Sequence, residues 1–93
     1  MMVYLAGPMT RIADFNRPAF AAAAHRLRFE GYEVFNPAAA NQEGRSLSTI
    51  MAHVIPQLCE SEAIALLPGW RRSAGARIEF LLAKYIGLKV IFL

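Results

Sequence analysis

Four short, largely apolar runs constrain this chain more than any other feature: Val3 to Ala6, Tyr32 to Phe35, Glu62 to Leu67 and Leu88 to Leu93. Runs of this length with little polar alternation read as strands buried on both faces. Each pair is separated by a segment of helical length. In the first, Phe20, Ala23, Ala24 and Leu27 share one face while His25, Arg26, Arg28 and Glu30 share the other, with Gly31 as the stop. Asp14 or Asn16 is placed to cap it, and Pro18 is tolerated in its first turn. The second carries Leu47, Ile50, Met51, Val54, Ile55 and Leu58 behind a cap at Ser46 or Ser48. Pro56 lies inside it and predicts a kink or an early end. The third runs from Ser73, its N-cap, to Ile86, with Gly87 closing it. Residues 38 to 46 show no period and form the longest loop.

The order βαβαβαβ with short connections requires a parallel sheet covered on both faces. Right-handed crossovers then leave few topologies. The chain is expected to form a single α/β domain over residues 1–93, a small flavodoxin-like three-layer sandwich. Its four-stranded parallel sheet should have the order 2-1-3-4, with three main helices.

Composition narrows the function classes. With 56% hydrophobic and 18% charged residues, disorder is not expected. No apolar run approaches the ~20 residues of a membrane span, and no signal-peptide pattern opens the chain, so a cytoplasmic protein without a membrane partner is expected. Cys59 is the single cysteine, and His25 and His53 lack metal-ligand spacing, so neither a metal site nor a cofactor is predicted. The net charge of +3 is scattered, apart from Arg26/Arg28 and Arg71/Arg72. A nucleic-acid polymer would call for a basic stripe; this balance suits a small anionic or nucleotide-like ligand. Neither G-x-G-x-x-G nor G-x-x-x-x-G-K-[ST] occurs, which leaves dinucleotide binding and P-loop phosphoryl transfer unsupported.

In the expected sheet, the carboxyl ends of strands one and three are neighbours, and open α/β sheets bind ligands there. Gly7-Pro8-Met9-Thr10 would face Pro68-Gly69-Trp70 across that crevice. On the third helix, Gly75, Ala76, Leu82, Ala83 and Ile86 form one stripe, with Glu79 in its middle. A carboxylate on a core-facing stripe is costly unless it is paired or opens into a pocket. Two readings remain: a structural Glu bonded to Arg77, Trp70 or a backbone N–H, or a reactive carboxylate beside the crevice.

Several motifs then combine. They are Val3-Tyr4-Leu5-Ala6-Gly7-Pro8-Met9-Thr10, Asp14 and Asn16, Gly31-Tyr32-Glu33-Val34-Phe35-Asn36-Pro37, and Glu62 through Trp70 leading to Gly75-Ala76-Arg77-Ile78-Glu79. Together they resemble the nucleoside 2-deoxyribosyltransferase-like superfamily, in its short single-domain branch found in phages and bacteria. The resemblance implies that Glu79 is the nucleophile that attacks the anomeric carbon of a 2-deoxynucleoside or its monophosphate. The base is expelled, a glycosyl-enzyme forms, and a second base or water takes the sugar. It further implies substrate-binding roles for Gly7, Pro8, Met9, Thr10, Asp14, Glu62, Pro68, Gly69, Trp70, Ser73 and Gly75. Glu62 stands where the superfamily usually has Asp. A carboxylate is a suitable nucleophile toward an oxocarbenium-like centre, and Gly7 would let backbone approach the ligand without a Cβ.

The chain departs from the pattern in three ways. Ser73 occupies the position of an Asp that helps protonate the leaving base, and serine is no comparable acid. Arg11 replaces a common Gly, adding an anion contact or blocking the pocket. The fifth strand and C-terminal tail of the larger transferases, which help complete a neighbour's active site, do not follow strand four. The alternative function is therefore a non-catalytic nucleotide-binding module that keeps the pocket. Away from the site, Trp70 reads first as a packing residue, and Asp14 and Asn16 as helix caps. Ile78, Leu81 and Tyr85 form a second apolar side on the third helix that no element of the chain covers, which predicts a homodimer or higher homo-oligomer.

Overall fold

The computed structural model describes residues 1–39 and 44–93. Its four strands are β1 (Met2–Ala6), β2 (Glu33–Phe35), β3 (Ala63–Leu66) and β4 (Lys89–Phe92). They form one parallel sheet in the order β2-β1-β3-β4, as expected. Val3 pairs with Val34 on one side and Ala63 on the other, so β1 is central along with β3. Helix α1 (Arg17–Phe29) covers one face, while α2 (Leu47–Glu60) and α3 (Ala74–Tyr85) cover the opposite face. The strand order requires this division. The β1-to-β2 crossover moves one way along the sheet and the next two move the other way, so crossovers of one hand place their helices on opposite faces.

Alternation along the strands splits the core in two. Val3, Leu5, Ala63 and Ala65 point toward α1 and meet Phe20, Ala24 and Leu27. Tyr4, Ala6, Ile64 and Leu66 point the other way, toward Val54 and Leu58 of α2 and Ala76 and Ala83 of α3. All of these residues are buried. Among the described residues no helix is long and apolar enough to cross a membrane.

Helix ends follow the sequence signals at most points. The Ser46 and Ser73 hydroxyls accept from the backbone N–H groups of Thr49 and Ala76, each capping its helix. Gly31 and Gly87, at φ +99 and +86, end α1 and α3 in the left-handed conformation. There Tyr32 N–H donates to the Leu27 carbonyl, and Leu88 N–H to the Ala83 carbonyl. Tyr32 and Leu88 thus belong to helix ends, and strands β2 and β4 start one residue later than the apolar runs do.

Two expectations need correction. Helix α2 continues through Pro56 to Glu60 without stopping. Val54 and Leu58, buried on either side of the exposed proline, hold the segment on the sheet despite one missing hydrogen bond. Neither Asp14 nor Asn16 caps α1 through its side chain. Instead Asp14, Phe15 and Asn16 lie in left-handed backbone, at φ 54, 52 and 59. Asp14 pairs with Arg17 at 2.7 Å, and the Asn16 side-chain amide donates to the Pro8 carbonyl at 3.0 Å. Of the loop read at residues 38 to 46, residues 40–43 lie outside the described residues.

Candidate functional site

At the carboxyl end of the sheet, past β1 and β2 and on the face covered by two helices, α2 and α3 line a cavity of about 340 Å³, within the size range of small-molecule pockets. The loop after β1 contributes Gly7, Met9, Thr10 and, further on, Phe15. The start of α3 contributes Ser73, Gly75, Ala76 and Glu79. Helix α2 supplies an apolar wall of Leu47, Ile50, Met51 and Val54, with Gly44 and Arg45 just before it. Tyr4 and Pro37 complete the described lining.

Glu79 is 8% exposed, and it is the only acidic side chain among the described residues of this lining. Its partner is none of the groups anticipated from the sequence. The Tyr4 hydroxyl donates to Oε2 at 2.5 Å, from a residue 75 positions away on the central strand. Among the described residues Oε1 has no protein donor, so one carboxylate oxygen is held by Tyr4 and the other is not. The Tyr4 ring is itself held by its cross-strand neighbour Phe35, stacked at 5.5 Å with 17° between the ring planes.

The electrostatics follow from this enclosure. Burial penalises the charged form and pushes Glu79 up to about 7, while the Tyr4 hydrogen bond opposes the rise. Tyr4 is driven far above the ordinary phenol range, first by burial and then by the charge of Glu79 and the hydrogen bond to it. It therefore stays a proton donor across the range in which Glu79 titrates. Near neutrality Glu79 is divided between acid and carboxylate, poised as a base or a nucleophile. Among the described residues no three His, Cys, Asp or Glu side chains are grouped to hold a metal ion.

The anticipated site residues fall into three groups. Gly7, Met9, Thr10, Ser73, Gly75 and Glu79 come together around the cavity. Pro8 lines an adjoining groove, and Pro68, Gly69 and Trp70 line a separate depression with Phe92 and Leu93. Trp70 packs against Phe80, with ring centroids 4.7 Å apart, and joins the core of that face. Asp14 and Glu62 lie elsewhere. Asp14 is exposed and bound to Arg17. Glu62 sits at the amino end of β3, where its Oε1 accepts from the Met2 N–H at 3.1 Å. The cavity is at the other end of the same strand, so Glu62 ties strands together there.

Gly7 also has a packing reason beside the one read in the sequence. A Cβ on it would lie 2.8 Å from Leu67 Cβ. This close approach to Leu67, just past β3 on the α1 side of the sheet, by itself calls for glycine.

Sequence reasoning missed Tyr4 and the wall from α2. Tyr4 is the only residue of the Val3 to Ala6 run with a polar tip, and a buried tyrosine hydroxyl needs a partner; that was the available signal. The α2 wall carried none, because its stripe looks the same whether it covers sheet or cavity.

A family model described as a domain of unknown function (DUF4406) matches residues 1–92. No curated protein matches the chain.

Proposed function

The chain belongs to the DUF4406 family, and we propose that it cleaves or transfers the N-glycosidic bond of a 2-deoxynucleoside or its monophosphate in the cytoplasm. The reaction class comes from the resemblance to the nucleoside 2-deoxyribosyltransferase-like superfamily. The single observation that supports it most is a buried Glu79 lining the cavity, with one oxygen held by Tyr4 and the other without a protein donor among the described residues.

In this reading ionised Glu79 attacks C1′ of the sugar through Oε1. The C1′–N bond breaks, and its electron pair leaves with the base, which takes a proton from solvent. Water or a second base then attacks C1′, the ester bond to Glu79 breaks, and the carboxylate is restored; the attacking group loses its proton to solvent. Tyr4 donates to the ionised carboxylate and fixes its direction, which makes it a positioning residue. The apolar wall from α2 and the Phe15 ring offer surfaces for a nucleobase. Ser73 spends an oxygen lone pair on the α3 cap and supplies no acid to the leaving base.

The test is direct. The protein is incubated with a panel of deoxynucleosides and their monophosphates, and free base is followed by chromatography. Release by wild type and not by Glu79→Gln is the expected result. Saturable binding without release favours the second reading, a nucleotide-binding module, for which Ser73 is the favouring residue.

The active form is proposed to be a homodimer through the outer side of α3, where Ile78, Leu81 and Tyr85 are 54%, 64% and 89% exposed. Light scattering at micromolar concentration should give twice the chain mass for wild type and the chain mass for Leu81→Asp/Tyr85→Glu.

A further inference from the structure

A groove of about 320 Å³ adjoins the cavity and shares Met9, Thr10, Leu47, Ser73 and Gly75 with it. The two form one cleft with unlike halves. The inner half has the carboxylate and the apolar wall. The outer half has two guanidinium side chains, Arg11 and Arg72, and no acidic side chain among its described residues. We infer that the outer half is a phosphate site, and that the ligand is a nucleoside phosphate whose phosphate is held by Arg11 and Arg72. This inference rests on the proposed function for the nucleoside part alone.

Both arginines are mounted on tight turns. Arg11 is the third residue of the turn Met9–Ile12, closed by Ile12 N–H donating to the Met9 carbonyl. Its φ is 66, a left-handed conformation that disfavours any side chain. Arg72 ends the single 3-10 turn Trp70–Arg72, directly before the cap of α3. Neither guanidinium has an acidic partner among the described residues. Arg17 and Arg26 pair with Asp14 and Glu30, whereas Arg28, Arg45, Arg71 and Arg77 share with Arg11 and Arg72 the lack of an acidic partner among the described residues; what sets Arg11 and Arg72 apart is their place in the groove. Arg11 thus carries a cation without an acidic partner among the described residues to the lip of the cleft, from left-handed backbone that it shares with Asp14, Phe15 and Asn16 of the same loop.

The charge balance favours phosphate over an uncharged sugar. Guanidinium groups match phosphate oxygens in pairs and gain little from hydroxyls. A phosphate placed a sugar's length from ionised Glu79 would be repelled without compensating charge, and Arg11 and Arg72, with Arg45 at the cavity, provide it. Arg72 borders the separate depression as well as the groove, whereas Arg71 lines the depression alone, with its guanidinium over the Trp70 ring, 5.2 Å from the centroid.

Calorimetry on Glu79→Gln, in which base release is expected to be too slow to interfere, measures binding of deoxynucleosides, their 5′-monophosphates and inorganic phosphate. The monophosphates should bind about tenfold tighter or more than the nucleosides. Adding Arg11→Gly and Arg72→Ala should remove that preference; glycine suits the backbone at position 11, and thermal melting checks that the fold survives. Inorganic phosphate should compete with the monophosphates only when both arginines are present. Equal affinity for nucleoside and monophosphate, or a preference untouched by the arginine changes, overturns the inference. Base release by wild type at equal kcat/KM from both ligand classes would defeat the phosphate site and leave the reaction standing. Arginine-dependent binding without any base release would do the reverse.

Discussion

The two faces of the sheet are built from adjacent residues of the same strands, and they differ in almost every respect that matters. Toward α1 the strands present Val3, Leu5, Ala63 and Ala65, and the core there is wholly apolar. Toward α2 and α3 they present Tyr4 and Ala6, and a buried carboxylate sits at the end of that core. One helix lies on the first face; on the second, α2 and α3 both line the cavity that holds Glu79. A one-residue step along β1 thus separates a packing residue from a site residue. The parallel sheet can divide stability from chemistry by nothing more than the parity of a position.

The comparison breaks most sharply at Glu79. Glu79→Gln should lower base release by about three orders of magnitude or more while circular dichroism stays unchanged. Comparable release by the variant would mean that the second face has no special chemistry. On the first face, Phe20→Ala should cost about 3–5 kcal/mol in urea unfolding through the cavity it leaves. It should leave the pH dependence of whatever activity remains unaltered. A shifted profile would show that the two faces are coupled.

Stability against pH sharpens the contrast. Burial raises Glu79 from 4.5 to about 7 in the folded protein, so the folded state binds its proton more tightly than the unfolded state does. The associated stabilisation is fully present below the unfolded pKa of 4.5 and is lost as pH rises to about 7. It amounts to about 3 kcal/mol. Urea midpoints of wild type should therefore fall relative to those of Glu79→Gln across that interval, and a parallel pair of curves would contradict the assignment. Activity should move the opposite way, rising as the nucleophile ionises.

Tyr4→Phe removes the donor that holds the Glu79 pKa down. The rising limb of the activity profile should move to higher pH by about one unit, the scale of a hydrogen bond to a charged group. A lower rate with an unmoved profile would reduce Tyr4 to a packing residue. The smallest effect belongs to Ser73→Ala, which should cost about 1 kcal/mol through the lost cap of α3.

These particular residues also show what was legible in the sequence. Strand order, layers and helix ends could be read because apolar runs, Ser46, Ser73, Gly31 and Gly87 act locally, within a few residues of what they specify. Glu79 could be singled out because a charge on an apolar stripe contradicts its surroundings. Its partner could not, since Tyr4 lies across the fold and a tyrosine in an apolar run fits a core equally well. That Glu62 and Asp14 stand away from the cavity was not legible for a related reason. Their spacing relates them to a family pattern, whereas their contacts with the Met2 N–H and Arg17 depend on which end of the sheet they occupy. Trp70 was read first as packing, and its contact with Phe80 agrees.

The left-handed run at Asp14, Phe15 and Asn16 bears on how this loop can vary over generations. Positive φ admits Gly, Asn and Asp readily and excludes β-branched side chains. Substitutions at these positions are therefore filtered by backbone shape before any question of binding arises. Phe15 is the exception the filter tolerates: its ring borders the cavity, and the Arg17 guanidinium lies 5.1 Å from its centroid. In a library of folded variants, glycine and asparagine should accumulate at position 15, and any selection that restores an aromatic ring there would be responding to the ligand.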